Sequence, residues 1–71
     1  MDITITTEYI TLGQFLKLAK IIQSGGDAKI FLLTTQVLVN GSLETRRGRK
    51  LRKDDKVSVN GKTYNIISHV S

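Results

Sequence analysis

From Glu44 to Lys53 the chain reads ETRRGRKLRK, and Leu51 is its one apolar residue. Such a stretch cannot fill a hydrophobic core, so in a protein of 71 residues the core must come from the segments on either side. The margin is thin, because a domain of this size buries only about 60% of the surface that its unfolded chain exposes. No cysteine is present to reinforce it through a disulfide or a thiolate metal site. The length fits one domain spanning residues 1–71. The N-terminal MDITITTEYI carries acid where a signal peptide carries base. No apolar run approaches the roughly 18 residues of a membrane span. A soluble, cytoplasmic protein is expected.

The same stretch holds the charge. Arg46, Arg47, Arg49, Lys50, Arg52, Lys53 and Lys56 face only Asp54 and Asp55, which leaves this segment at +5, the net charge of the whole chain. Elsewhere Lys17, Lys20, Lys29 and Lys62 balance Asp2, Glu8, Asp27 and Glu44. A field so concentrated points to a polyanionic partner.

The flanking segments carry the fold. Ile3 and Ile5 alternate with threonines and predict a strand from Asp2 to Thr6. Thr11 and Gln14 form a capping box, and Ile10 is placed to staple onto Phe15. Behind them Leu12, Phe15, Leu16, Ala19 and Ile22 form an apolar stripe, which predicts a helix from Leu12 to Gln23. A glycine of Ser24-Gly25-Gly26 can end that helix in a left-handed conformation, and Ser24 can cap a second one. The second helix, Gly26 to Thr35, should bury Ala28, Phe31 and Leu32 and turn Lys29 outward. Val37-Leu38-Val39, the Val57–Val59 pair and Tyr64–Ile67 read as strands, with turns at Asn40-Gly41 and Asn60-Gly61. The order predicts an α+β fold, two short helices packed on one face of a small antiparallel sheet of three to five strands.

Catalysis finds little support. His69 is the one histidine and lies at the C-terminal end. Asp54 and Asp55 are adjacent, so on extended backbone they point to opposite faces and cannot share a proton. Gly25-Gly26 is too short to cradle a phosphate. No catalytic residue, cofactor, metal site or small-molecule substrate is expected.

Binding is a different matter. Four of the seven cations are arginines, whose planar forks suit phosphate, and Gly48 lets the backbone bend around a ligand. A merely solvated ribbon would leave seven mutually repelling cations in a domain with little stability to spare. The candidate contacts are Arg46, Arg47, Arg49, Lys50, Arg52 and Lys53, with Lys29, and then Lys17 and Lys20, extending the patch over the helices. Phe15 and Phe31 belong to apolar stripes, and Tyr9 and Tyr64 are open. So few exposed rings favour folded RNA, read by shape and backbone, over single strands. The same ribbon would also suit an acidic protein. It would also suit DNA bound without base readout, since the second helix is apolar apart from Lys29; a membrane is disfavoured by the lack of a basic amphipathic helix.

The run from Thr11 to Val59 resembles the S-four RNA-binding domain, which carries the alpha-L motif. It is most similar to the small stand-alone bacterial form, the YaaA-like proteins, through LGQFLKLA, the SGG followed by Ala28 and Lys29, and Asn40-Gly41 followed by ETRRGRKL. The resemblance implies RNA binding by the helix pair and the neighbouring loop, with ribosomal RNA or a ribosomal subunit as partner and ribosome assembly or function as context. Lys29 stands where the second helix usually presents an arginine, and Arg46, Arg47, Arg49 and Lys50 stand in the loop after Asn40-Gly41. Gly25 and Leu33 replace basic residues common in that family, and Asp54-Asp55 replaces its usual Gly-Asp turn. These departures shift the expected contact from the helices to the arginine loop. A sulfur carrier of ubiquitin-like fold, which can look similar near Val39-Asn40-Gly41, would need a terminal Gly-Gly where this sequence reads His-Val-Ser.

Overall fold

In a computed structural model that describes residues 1–69, the chain forms two helices and seven strands. They run in the order β1 (Asp2–Ile5), β2 (Ile10–Thr11), α1 (Leu12–Leu18), α2 (Asp27–Thr34), β3 (Val37–Val39), β4 (Ser42–Leu43), β5 (Lys50–Leu51), β6 (Lys56–Val59) and β7 (Lys62–Ser68). The main sheet has the order β1-β7-β6-β3-β4, and β2 pairs with β5 in a separate two-stranded ribbon.

Both Asn-Gly pairs make tight hairpins. Asn40 and Gly41 have φ of 52° and 86°, and Asn60 and Gly61 have 53° and 79°. Left-handed φ at both central positions is the geometry whose twist matches that of the flanking strands. These turns fix the register, and with it the alternation that sends Val37, Val39, Val57, Val59, Tyr64 and Ile66 into the core. The helices cover that face with Leu12, Phe15, Leu16, Ala28 and Leu32. The rings of Phe15 and Tyr64 meet edge to face, with centroids 5.4 Å apart, which settles Tyr64 as a core residue.

The expected α+β arrangement is present, with one change of direction. β1 joins the edge of the sheet parallel to β7, placing Ile3 beside Ile66 and burying Ile5. Parallel neighbours need a long connection rather than a hairpin, and here nearly the whole chain lies between them.

The helices differ from expectation at their ends. α1 stops at Leu18 instead of Gln23. The Lys20 N–H donates to the Lys17 carbonyl (3.0 Å) and the Ile21 N–H to the Leu16 carbonyl (2.9 Å). These are the two bonds of a Schellman closure, and Lys20, with φ of 61°, takes the left-handed position expected at a glycine. The turn lets Ile21 pack on the core and buries Ile22 after the helix has ended. Ser24 does not cap α2 through its hydroxyl: its carbonyl accepts the Asp27 N–H at 3.1 Å, and the N-cap is Gly26. Phe31 is half-buried rather than buried, and Lys29 faces solvent as expected.

A left-handed lysine carries a steric penalty between its Cβ and the following carbonyl that glycine avoids. Lys20→Gly should therefore stabilise the protein by about 1 kcal/mol, raising the melting temperature by roughly 4–8 °C. Lys20→Ala keeps the Cβ and should give no such gain, so a thermal melt of the two variants side by side checks the closure.

Candidate nucleic-acid interface

An α-helix begins with four backbone N–H groups that have no acceptor inside the helix. In α1 every one of these donors is matched. The capping box takes two: Thr11 N–H donates to Gln14 Oε1 (2.9 Å) and Gln14 N–H to Thr11 Oγ1 (3.2 Å). The basic loop takes the others: Leu12 N–H donates to the Arg49 carbonyl (2.8 Å) and Gly13 N–H to the Arg47 carbonyl (2.9 Å). The loop is thus bound to the helix start by its own backbone, which leaves its side chains outside. At its downstream end Leu51 is fully buried and pairs with Ile10 across the small ribbon. At its upstream end Glu44 N–H donates to the Val37 carbonyl (2.9 Å). The segment is thus a fastened loop between the short strands β4 and β5.

Gly13 marks where three elements converge. A Cβ built on it would lie 3.5 Å from the Ala28 Cβ and 3.5 Å from the Arg47 carbonyl oxygen. The starts of both helices and the basic loop therefore share one end of the molecule.

Glu44 organises the loop electrostatically. It is the one buried charged residue among those described, with 6% of its surface exposed. An isolated carboxylate at such a place is costly, and the neighbouring donors offset the cost. Its Oε2 accepts from Arg46 Nε (3.0 Å) and from the backbone N–H groups of Thr45 and Arg46 (3.1 Å each). Its Oε1 accepts from Arg46 Nη2 (3.2 Å) and Arg49 Nη1 (3.1 Å). Hydrogen bonding from the Arg46 side chain is the main cause that lowers the Glu44 pKa from 4.5 to about 2, against the opposing effect of burial. Arg46 meets Glu44 through two nitrogens of its fork, while its side chain remains 75% exposed.

Around this clamp the cations form an open patch. Arg46, Gly48, Arg49 and Lys50 line a hollow of about 380 Å³. Gly48 has no left-handed φ, and a Cβ there would meet nothing within 4 Å, so the chain itself does not require a glycine. Lys50 Nζ and Arg52 Cζ lie 4.9 and 5.4 Å from the centroid of the Tyr9 ring. Arg47 and Lys53 are exposed, with no side-chain partner among the described residues. Lys29 follows Ala28 on α2 and is exposed. Lys20 closes the far end of α1, where it shares a different hollow with Lys62, and Lys17 lies in the last turn of α1. The last two are therefore not gathered with the loop.

The Asp54-Asp55 pair is not a run of extended backbone but part of a turn. Asp54 has φ of 74°, and Asp55 ties the turn together by accepting from Arg52 N–H (2.8 Å) and Asn40 Nδ2 (3.1 Å). His69 is exposed, and its N–H donates to the Ile5 carbonyl (3.1 Å).

Residues 3–67 match the family model described as S4 domain. The chain belongs to the S4 domain family. A relative from Bacillus subtilis (strain 168), named "Probable ribosome maturation protein RlbA", is 61% identical over 59 residues, covering 83% of each chain. The family match reaches beyond the 11–59 core of the resemblance, because β1 and β7 complete the sheet of this S4 domain.

Two residues that shape the basic loop and its surroundings carry little signal in the sequence. Glu44 counted only as a balancing acid, although a lone carboxylate opening an arginine-rich run is a signal for an internal clamp. The role of Tyr9 is open in the sequence, and its place beside Lys50 and Arg52 shows only once β2 pairs with β5.

The clamp has a pH signature. Because the folded pKa of Glu44 lies below its ordinary value, its stabilisation is full above pH 4.5 and is lost as the pH falls toward about 2. Glu44→Gln should be less stable than the parent at neutral pH by on the order of 2–3 kcal/mol. The gap should close as the pH is lowered through that window, as read by urea denaturation at a series of pH values. A gap independent of pH would show that the charge of Glu44 is not what matters.

Proposed function

We propose that this S4 domain is a non-enzymatic RNA-binding protein of the cytoplasm. It grips the phosphate backbone of structured ribosomal RNA through the loop from Arg46 to Lys53 and serves ribosome maturation. The observation that carries the reading is the clamp: the segment that holds the whole net charge is fastened by its backbone and by Glu44, so its cations stand in a defined array. Preorganised cations lose less conformational freedom on binding than cations on a mobile tail.

The helix start takes no direct part in this grip, since its N–H donors are already bonded to the loop and to the capping box. Phosphates are met instead by guanidinium and ammonium groups. Arg46 and Arg49 keep N–H donors beyond those given to Glu44, and with Lys50 they surround the hollow beside Gly48. Arg47, Arg52, Lys53 and Lys29 extend the field around it. The family assignment supports RNA as the polyanion, and the name of the Bacillus subtilis relative supports the ribosome as its setting.

Neutralising about four phosphates gives a slope of log affinity against log salt of roughly −3 to −4, or about a hundredfold loss of affinity between 50 and 200 mM salt. Arg47→Ala and Lys53→Ala leave the Glu44 clamp intact. Each should weaken RNA binding and flatten the slope by about one unit. Filter binding with a folded ribosomal RNA fragment reads both effects. Unchanged slopes, or equal affinity for an acidic polypeptide, would contradict RNA binding by this loop.

A further inference from the structure

A second feature borders the basic loop without sharing its charge. An open cleft of about 600 Å³ lies between the β1–β2 connection and α1, lined by Thr4, Thr6, Glu8, Tyr9, Gln14 and Leu18 among others. Its size falls within the range of small-ligand sites. Its lining combines the apolar residues Ile10 and Leu18 with Thr4, Thr6 and Gln14, which carry two hydroxyls and an amide nitrogen. None of these three polar groups has an intramolecular partner among the described residues. Thr7 Oγ1 donates to the Tyr9 carbonyl (2.8 Å) and steadies the connection.

The charge distribution decides what such a cleft can take. No lysine or arginine lines it, and Glu8 does. A phosphate or other anion is therefore disfavoured inside. A flat, neutral, hydrogen-bonding group is favoured, particularly one with amino hydrogens for the Glu8 carboxylate. Lys50 and Arg52 lie against the ring of Tyr9, which lines the cleft, but do not line the cleft themselves. Tyr9 thus joins the two features: Lys50 and Arg52 lie over its ring, while the residue lines the cleft and is 39% exposed.

We propose that this cleft is a nucleobase site: an unpaired nucleotide of the bound RNA places its base against Tyr9, while Lys50 and Arg52 hold its flanking phosphates. The inference rests on the RNA-binding reading above and deepens it. The preferred RNA is a helix interrupted by a bulge or a loop, rather than a continuous duplex. Aromatic stacking on one base typically adds a factor of about 5 to 150 in affinity, and an extruded base is the state in which RNA offers both a ring face and its hydrogen-bonding edge.

The test compares two RNA hairpins that differ by a single bulged nucleotide, each titrated against the wild-type protein, Tyr9→Ala and Tyr9→Phe. The expected result is tighter binding of the bulged hairpin by wild type and by Tyr9→Phe. Tyr9→Ala should lose about 5- to 150-fold on that hairpin and stay within about threefold on the unbulged one. Tyrosine emission gives a readout independent of the substitution, because the chain has two tyrosines and no tryptophan, and Tyr64 is buried. Wild-type emission should be quenched by the bulged hairpin and not by the duplex control. Equal losses on both hairpins, or equal emission changes, would overturn the base site while leaving the phosphate grip in place. A wild-type protein that binds neither hairpin would overturn the RNA reading itself, and the base site with it.

Discussion

The structure turns on the way the first helix begins. α1 has only seven residues, so an unsatisfied end would weigh heavily on it. Two of its leading N–H groups are satisfied by carbonyls of Arg47 and Arg49 rather than by solvent. One pair of backbone hydrogen bonds therefore does two things. It completes the helix that carries Leu12, Phe15 and Leu16 into the core, and it fixes the loop that carries the charge. A helix start is commonly used to hold an anion. Here the same donors hold the peptide backbone of the cationic loop, and the anion-binding role passes to the side chains beyond it.

That arrangement creates a problem which Glu44 resolves. Cations crowd beside the positive end of a helix dipole, and they repel one another. A carboxylate brought under the loop, held well below its ordinary pKa by Arg46 and Arg49, neutralises part of this field from the inside. Arg47 and Lys53 remain outside the clamp, so the loop keeps an outward charge while its inner side is compensated. Tyr9 plays a similar part for Lys50 and Arg52, whose charges rest against its ring rather than against each other.

Much of this was legible in the sequence, for identifiable reasons. The capping box at Thr11 and Gln14 and the two Asn-Gly hairpins are local devices, complete within a few residues, and they appear where expected. The strands at Val37–Val39 and Val57–Val59 are likewise local signals, although which face they bury shows only in the structure. The end of α1 was not legible, because it depends on Lys20 accepting a conformation that its side chain disfavours so that Ile21 and Ile22 can reach the core. The parallel pairing of β1 with β7 was hidden too, since it joins opposite ends of the chain. Gathering of cations followed the same division. Those adjacent in sequence came together, whereas Lys20 was separated from them by the length of α1. The departures from the family pattern also find a physical form. Asp54 adopts the left-handed φ that suits the glycine it replaces, and Leu33 leaves a 73% exposed apolar residue on α2 where a cation is usual.

The central claim is that the fastened loop is the element that engages ribosomal RNA. Its most direct test is sedimentation of wild-type protein and an Arg47→Glu/Lys53→Glu variant with ribosomal particles through a gradient at low and high salt. The account predicts that wild type travels with a ribosomal subunit or its precursor at low salt and is released at high salt, while the folded variant stays at the top in both. Equal co-migration of the variant, or recovery of wild type only at the top under both conditions, would contradict it.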